Sequence, residues 1–185
     1  MGHSNKTGRA IVLDADVVSH FLTAEEGESL SIIFPQNQLL LLDKVHAELQ
    51  RWPKATQHLE KLSQLLGKKA IRLIPFPEED VEILREFAYI RAAFFLGVGE
   101  SACLSFVRHH QKVLASSNLR DIKHYCNTHH IEYLTTMDFL CHALQSGVFT
   151  IERCNAFIHK VLASGSRLPV AKMEEYVCRD ISFQN

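Results

Sequence analysis

The chain has 185 residues, 46% of them apolar, a formal net charge of −1 and five cysteines. That is apolar material for one well-packed domain and little for two, and the near-zero charge excludes a global positive field reaching for nucleic acid or membrane. The cysteines (Cys103, Cys126, Cys141, Cys154, Cys178) are odd in number and form no CxxC pair. They read as reduced thiols of a cytoplasmic protein rather than as disulfides or a zinc site.

The chain opens "MGHSNKTGRA", which lacks the apolar stretch of a leader, and residues 1–9 read as a flexible tail. No window approaches the roughly 18 uninterrupted apolar residues of a membrane helix. "AIVLD" (10–14) is a compact buried strand. "NQLLLLD" (37–43), "IRLIP" (71–75), "KVLAS" (112–116) and "IEYL" (131–134) are further strand candidates. Helical periodicities lie between them: 44–52, stopping at Pro53; 55–66, ending at Gly67; the long 78–95; 100–110; and 119–130. From about 136 the pattern is helical only, through "MDFLCHALQSG", "IERCNAFIHKVLASG" and "PVAKMEEYVCRD". Strands that are nearly all apolar, alternating with helices, predict an α/β fold with three layers: a central parallel sheet flanked by helices and closed by C-terminal helices. Residues 1–185 read as a single domain.

Carboxylates recur where these elements begin or end. Asp14 closes the first strand, at the sheet edge where ligands of such folds gather, and reads as functional. Asp16 reads first as a helix cap. Glu48 lies on the helix after the second strand, with Asp43 placed to cap that helix. Glu100 sits in "GVGESACL", and Asp121 follows the fourth strand in "LASSNLRDI", three residues after Asn118. Singly, each acid has a structural reading as a cap or a first-turn residue favoured by the helix dipole. As a set they are the hard oxygen donors that suit Mg²⁺ or Mn²⁺.

The ordered set "VLDAD", "LLDKVHAEL", "GVGESACL", "VLASSNLRDI" and "IEYLTTMDFL" resembles the PIN domain, in particular its VapC-type branch, over roughly residues 10–180. The resemblance implies a Mg²⁺- or Mn²⁺-dependent ribonuclease with Asp14, Glu48, Glu100 and Asp121 as catalytic acids. The metal would be held by Asp14, Glu100 and Asp121, with Asn118 or Asp16 assisting. Asn118 or Ser117 stands where the family normally has its fourth acid, so the site has either recruited Asp121 or lost strength. Thr135 or Thr136 matches a hydroxyl near the family's site, although Thr135-x-x-Asp138 also spells a capping box, its default reading. Arg120 and Lys123 are the substrate-binding candidates, with Arg51, Lys54, Arg108 and Lys112 as further basic residues for the rim. The expected partners are RNA, an antitoxin protein covering the acidic cleft, and a second copy in a homodimer, without a membrane.

Other readings weigh less. The eleven histidines supply no HxxxH motif, and the adjacent pairs His109–His110 and His129–His130 do not share a helical face. "IVLDADVV" also fits the opening of haloacid-dehalogenase-like phosphatases, with Asp14 as nucleophile and Asp16 as acid/base. No suitably placed lysine and acidic pair follow. A PIN-like scaffold serving as a catalytically impaired RNA- or protein-binding module is the alternative that is not an enzyme.

Overall fold

Apolar runs of the kind "AIVL" and "QLLLL" bury both faces, and the computed structural model, which describes residues 8–52 and 55–181, assembles them into one parallel sheet. In chain order the elements are β1 (Gly8–Leu13), α1 (Ala15–Thr23), α2 (Ser29–Ile33), β2 (Asn37–Leu42), α3 (Asp43–Leu49), α4 (Ala55–Gly67), β3 (Arg72–Ile74), α5 (Val81–Phe94), α6 (Val98–His110), β4 (Val113–Ala115), α7 (Leu119–Thr128), β5 (Tyr133–Leu134), α8 (Thr136–Gln145) and α9 (Ile151–Ala163). A 3₁₀ turn follows at Met173–Glu175. The strand order is β3-β2-β1-β4-β5. β1 sits at the centre, with Val12 opposite Leu40 of β2 on one side and Leu114 of β4 on the other. Ile11, Val12 and Leu13 are fully buried, as a central strand with both faces covered requires.

The chain winds outward from β1 through β2 to β3, then returns to the other side of β1 for β4 and β5. The order therefore reverses between β1 and β4. Their carboxyl ends flank the crevice where open α/β sheets bind ligands. The backbone N–H of Asp14 donates to the carbonyl of Ala115 at 2.9 Å, tying the two strand ends together. The C-terminal helices are seated by aromatic packing. Phe21 of α1 meets Phe139 of α8 and Phe157 of α9 edge-to-face at 5.5 and 4.8 Å, and Phe34 meets Phe139 at 5.0 Å. No helix among the described residues is long and apolar enough to cross a membrane.

Four expectations need correction. Gly8 and Arg9, read as tail, are the first residues of β1; the Asn37 side chain holds the Arg9 carbonyl at 2.8 Å. Residues 1–7, like Pro53 and Lys54, lie outside the described residues. The reading had no helix at Ser29–Ile33, a five-residue turn too short to show a period. Asp43 does not cap α3 but is its first residue, and its carboxylate accepts from the backbone N–H groups of Lys44 and Phe76.

The fourth correction concerns the C-terminus. "PVAKMEEYVCRD" forms only the 3₁₀ turn, and the rest is an irregular strap. Side chains from elsewhere in the fold compete with local helix formation: the Asn155 carbonyl oxygen accepts from Met173 N–H at 2.7 Å, and its amide donates to Glu174. Cys178 then forms a disulfide with Cys141 of α8, where the sequence had suggested reduced thiols throughout. Absence of CxxC says nothing about cysteines 37 positions apart that folding brings together. Cys103, Cys126 and Cys154 are free and buried.

Candidate functional site

Five carboxylates gather where β1 and β4 end. Asp14 caps α1 by accepting from the N–H of Ala15 at 2.8 Å, and it is buried, 6% exposed. Asp16, read as the cap, lies instead in the first turn of α1. One oxygen takes the N–H of Val17 at 2.6 Å, and the other reaches across to the N–H of Ser117 at 2.8 Å, beyond the end of β4. Glu48 accepts from the backbone N–H of Gly99 at 3.2 Å. Only glycine permits that approach: a β-carbon at position 99 would lie 2.4 Å from the Glu48 carboxylate. Glu100 accepts from the Asn118 amide at 3.0 Å, and Asp121 takes the same NH₂ group at 2.8 Å.

Asn118 thus stands between Glu100 and Asp121 as a donor to both. Ser117, the other occupant of the expected fourth-acid position, donates its hydroxyl to Thr136 Oγ1 at 2.8 Å and accepts from the Thr136 N–H at 2.9 Å. Thr135 forms the capping box with Asp138, its default reading. Thr136 also meets His20 Nδ1 at 2.8 Å, which extends the polar chain into the body of α1. The sequence reading missed His20. Its signal was a position four residues after Asp16, on the same helical face.

The electrostatics are those of crowded, unneutralised acids. Burial, then Asp16 and Glu100, holds the Asp14 carboxyl well above the usual carboxylate range. Burial raises Asp16 to about 6. Burial followed by Asp121 and Asp16 pushes Glu100 up to about 7, against the lowering effect of the Asn118 hydrogen bond. The Cys103 thiol is buried beneath the same acids, and its pKa is raised by burial first and then by Asp14, Glu100 and their neighbours. Among the described residues, none of Asp14, Asp16, Glu48, Glu100 and Asp121 forms an ion pair with lysine, arginine or histidine.

This donor set has the chemistry of a hard-cation site: all oxygen, surplus negative charge, and no competing protein cation. Yet among the described residues no group of three His, Cys, Asp or Glu side chains stands ready to hold a metal ion. The carboxylates suit a divalent ion in kind. Asn118 is the neutral donor that now separates two of them.

The basic candidates divide. Arg120 and Lys123 are exposed on α7, the helix that starts beside Asn118, and neither has a carboxylate partner among the described residues. Arg108 and Lys112 do not rim the acids. They flank the start of β4, at the opposite edge of the sheet, where they line a separate cavity.

No family model matches the chain, and no curated protein matches it in sequence. Solved structures do match its fold. The VapBC2 complex of Rickettsia felis, bound to a DNA fragment from its promoter, contains a chain that aligns with 68% of this one and is 98% covered, at 16% identity and a TM-score of 0.53. A chain of the DNA-bound VapBC complex of Salmonella typhimurium aligns with 69% of this one and is 98% covered, at 10% identity and a TM-score of 0.51. At such identities the likeness shows the fold alone: a PIN-like α/β architecture with a five-stranded parallel sheet.

Proposed function

We propose that the chain is a divalent-metal-dependent endoribonuclease of the VapC type. The observation that carries this reading is the gathering of Asp14, Asp16, Glu48, Glu100 and Asp121 at the β1–β4 switch point without a single cationic partner among the described residues. Asp14, Glu100 and Asp121 would hold Mg²⁺ or Mn²⁺, with Asn118 or Asp16 assisting. The ion, when bound, polarises the scissile phosphate and acidifies a bound water. Glu48 is held by Gly99 N–H with its second oxygen available. That oxygen would accept the water's proton. Arg120 and Lys123 bind the RNA beside the acids. The phosphatase alternative is disfavoured because both Asp16 oxygens are engaged by backbone N–H groups, which leaves no free acid/base at that position.

A partner protein follows from the same reading. The fold neighbours are VapBC complexes, and this chain exposes Phe95 (91%), Val98 and Leu119 on segments flanking the acids. An antitoxin covering the cleft would bury these side chains, and a homodimer is the expected assembly in the cytoplasm.

The test is cleavage of single-stranded RNA with Mn²⁺. Wild type should cut, and Asp14→Asn should lose at least about 100-fold of the rate; equal rates in both proteins would refute the mechanism. One observation favours the impaired-module reading: the Asn118 amide sits where a fourth acid would bind metal. Asn118→Asp separates the two readings. If the site is merely weakened, the substitution raises Mn²⁺ affinity and cleavage together; if it is dead, affinity rises without cleavage.

A further inference from the structure

A large open cavity of the described chain lies away from the acids. It lies where β1, β4 and β5 begin, has a volume of about 880 Å³, and is lined by Arg9, Arg108, Lys112, His110, His129 and His130, with no acid among the described lining residues. We propose that this cavity is a second nucleic-acid site, one that takes phosphodiester backbone.

The cationic groups there are set in place by their neighbours. Arg9 pairs with Glu132 through Nη1 and donates Nε to the Gln111 carbonyl at 3.2 Å, so the half-buried guanidinium is fixed while Nη2 keeps its donors. Arg108 is fixed in the same way. Its Nη1 meets Glu86 and the Tyr125 hydroxyl, while Nε and Nη2 have no acceptor among the described residues. Each acid occupies one edge of its guanidinium and stays outside the lining. Arginine presents donors in a rigid fork that suits phosphate oxygens. Lys112 Nζ, four residues after Arg108 and lining the same cavity, has no hydrogen-bond or ion-pair partner among the described residues.

The histidines are also oriented. The ring of His110 packs on Phe106 at 4.3 Å and that of His129 on Tyr125 at 4.4 Å. Gln111, the cap of α6, and His130, two residues past the end of α7, have positive φ of 50° and 53°. This is a strained conformation for residues with a β-carbon, and it is kept at both turns that line the cavity.

Extent argues for a polyanion over a single phosphate. The donors come from the starts of three adjacent strands, spaced ~4.8 Å apart, and so span roughly 10 Å. One phosphate fills only part of that row, whereas a backbone with successive phosphates covers it. The site also lies a strand's length away from the acids, about 20 Å for the six residues of β1. It would hold a strand remote from any cut and owes nothing to the metal. The inference goes beyond the ribonuclease reading, drawing on it only in that a nucleic acid is then the substrate at hand.

The experiment uses the full chain carrying Asp14→Asn, in buffer with chelator, so that binding is read without cleavage and independently of whether the protein is a nuclease. Labelled single strands of roughly 20 nucleotides, one RNA and one DNA of the same sequence, are titrated by fluorescence anisotropy across a salt series. Adding Lys112→Glu should weaken binding about tenfold and lower the slope of log K against log salt by about 0.7, the value of one phosphate contact on a single strand. Lys112→Gln should show the same slope change with a smaller loss. The thermal melt should not move for either variant, because Lys112 Nζ touches no partner. Equal losses on RNA and DNA support a backbone site, and a loss on RNA alone supports it with an added ribose contact. Unchanged affinity and slope for both Lys112 variants would overturn the proposal. So would a loss that appears only with Arg120→Glu at the acidic edge.

Discussion

Asp14 and Asp138 are both buried aspartates beside the ends of β strands, at 6% and 1% exposure, and their surroundings differ completely. Asp138 is saturated. It takes the backbone N–H of Thr135 at 2.7 Å, the Thr135 hydroxyl at 2.8 Å, and both Nε and Nη2 of Arg179 at 2.8 and 2.7 Å. Asp14 has the N–H of Ala15, help from Ser116, and other carboxylates for company. A buried charge that is paired and hydrogen-bonded serves the fold, whereas one left among like charges lowers stability and is kept for another purpose. Burial alone therefore does not mark the site. The partner set does.

The saturated side depends on the C-terminal strap, because Arg179 arrives next to Cys178. Breaking the Cys141–Cys178 bridge, by Cys178→Ser or by reductant, should give the largest stability change in the molecule. For a closed loop of 37 residues the expected loss is about 3–4 kcal/mol in chemical denaturation, through greater freedom of the unfolded chain. Arg179→Ala removes one partner only and leaves Asp138 buried on its Thr135 bonds. Because Arg179 is itself half-exposed, the expected loss is about 3 kcal/mol, the low end for breaking such a pair. If Arg179→Ala costs nothing in a thermal melt, the contrast between the two aspartates fails.

The acidic side can be disturbed without touching a carboxylate. In Gly99→Ala the new β-carbon would meet Glu48 Oε2 at 2.4 Å and Val45 Cγ2 at 3.3 Å, so the Glu48 side chain must move. The expected cost is about 1–3 kcal/mol, the usual range for overpacking. RNA cleavage with Mn²⁺ should fall by more than that stability loss explains. An active Gly99→Ala protein would remove Glu48 from the proposed chemistry.

The unequal legibility of the sequence follows from the same physics. β1, β2 and β4 announced themselves because strands buried on both faces need unbroken apolar runs, and Asp14, the first charge after such a run, marked the sheet edge. Glu48, Glu100, Asn118 and Asp121 were visible as polar residues at element boundaries. What they touch was not visible: the shared Asn118 amide, the reach of Asp16 to Ser117 and the link from His20 to Thr136 span 18 to 116 positions of chain. The strap was misread because "AKMEEYV" has local helical character that Asn155, Cys141 and Asp138 override from outside. Arg108 and Lys112 were counted toward the acids because sequence proximity to β4 does not say which end of a parallel strand a residue occupies.

The smallest effect is also the most diagnostic, because its sign is opposite to that of most core substitutions. A carboxyl whose folded pKa lies above its unfolded value of ~4 binds its proton more tightly in the native state. Its contribution is full below the unfolded pKa and is lost as pH rises through the folded one. With Glu100 at about 7 and Asp14 raised well above the usual range, metal-free protein should lose stability between pH 6.5 and 8. His20, lowered by burial to about 4, acts in the other direction up to and through its unfolded value of about 6.5, where the buried neutral ring resists the proton that the unfolded chain accepts. His110, His129 and His142 are lowered by burial as well, so the acids are read from the difference between wild type and the acid variants, in which the histidines cancel. With chelator present, the acids' part of the change should put the melting temperature at pH 8 about 2–4 °C below that at pH 6.5, equivalent to about 1 kcal/mol for a chain of this size. Glu100→Gln should remove most of that difference, and Asp14→Asn, which takes a buried charge from among like charges, should raise the pH 8 value, so that the variant expected to be inactive as a nuclease melts higher than wild type. Mn²⁺ should raise wild type at pH 8 and leave Asp14→Asn nearly unmoved. A lower melting temperature for Asp14→Asn at pH 8 would show that Asp14, like Asp138, is held by favourable partners.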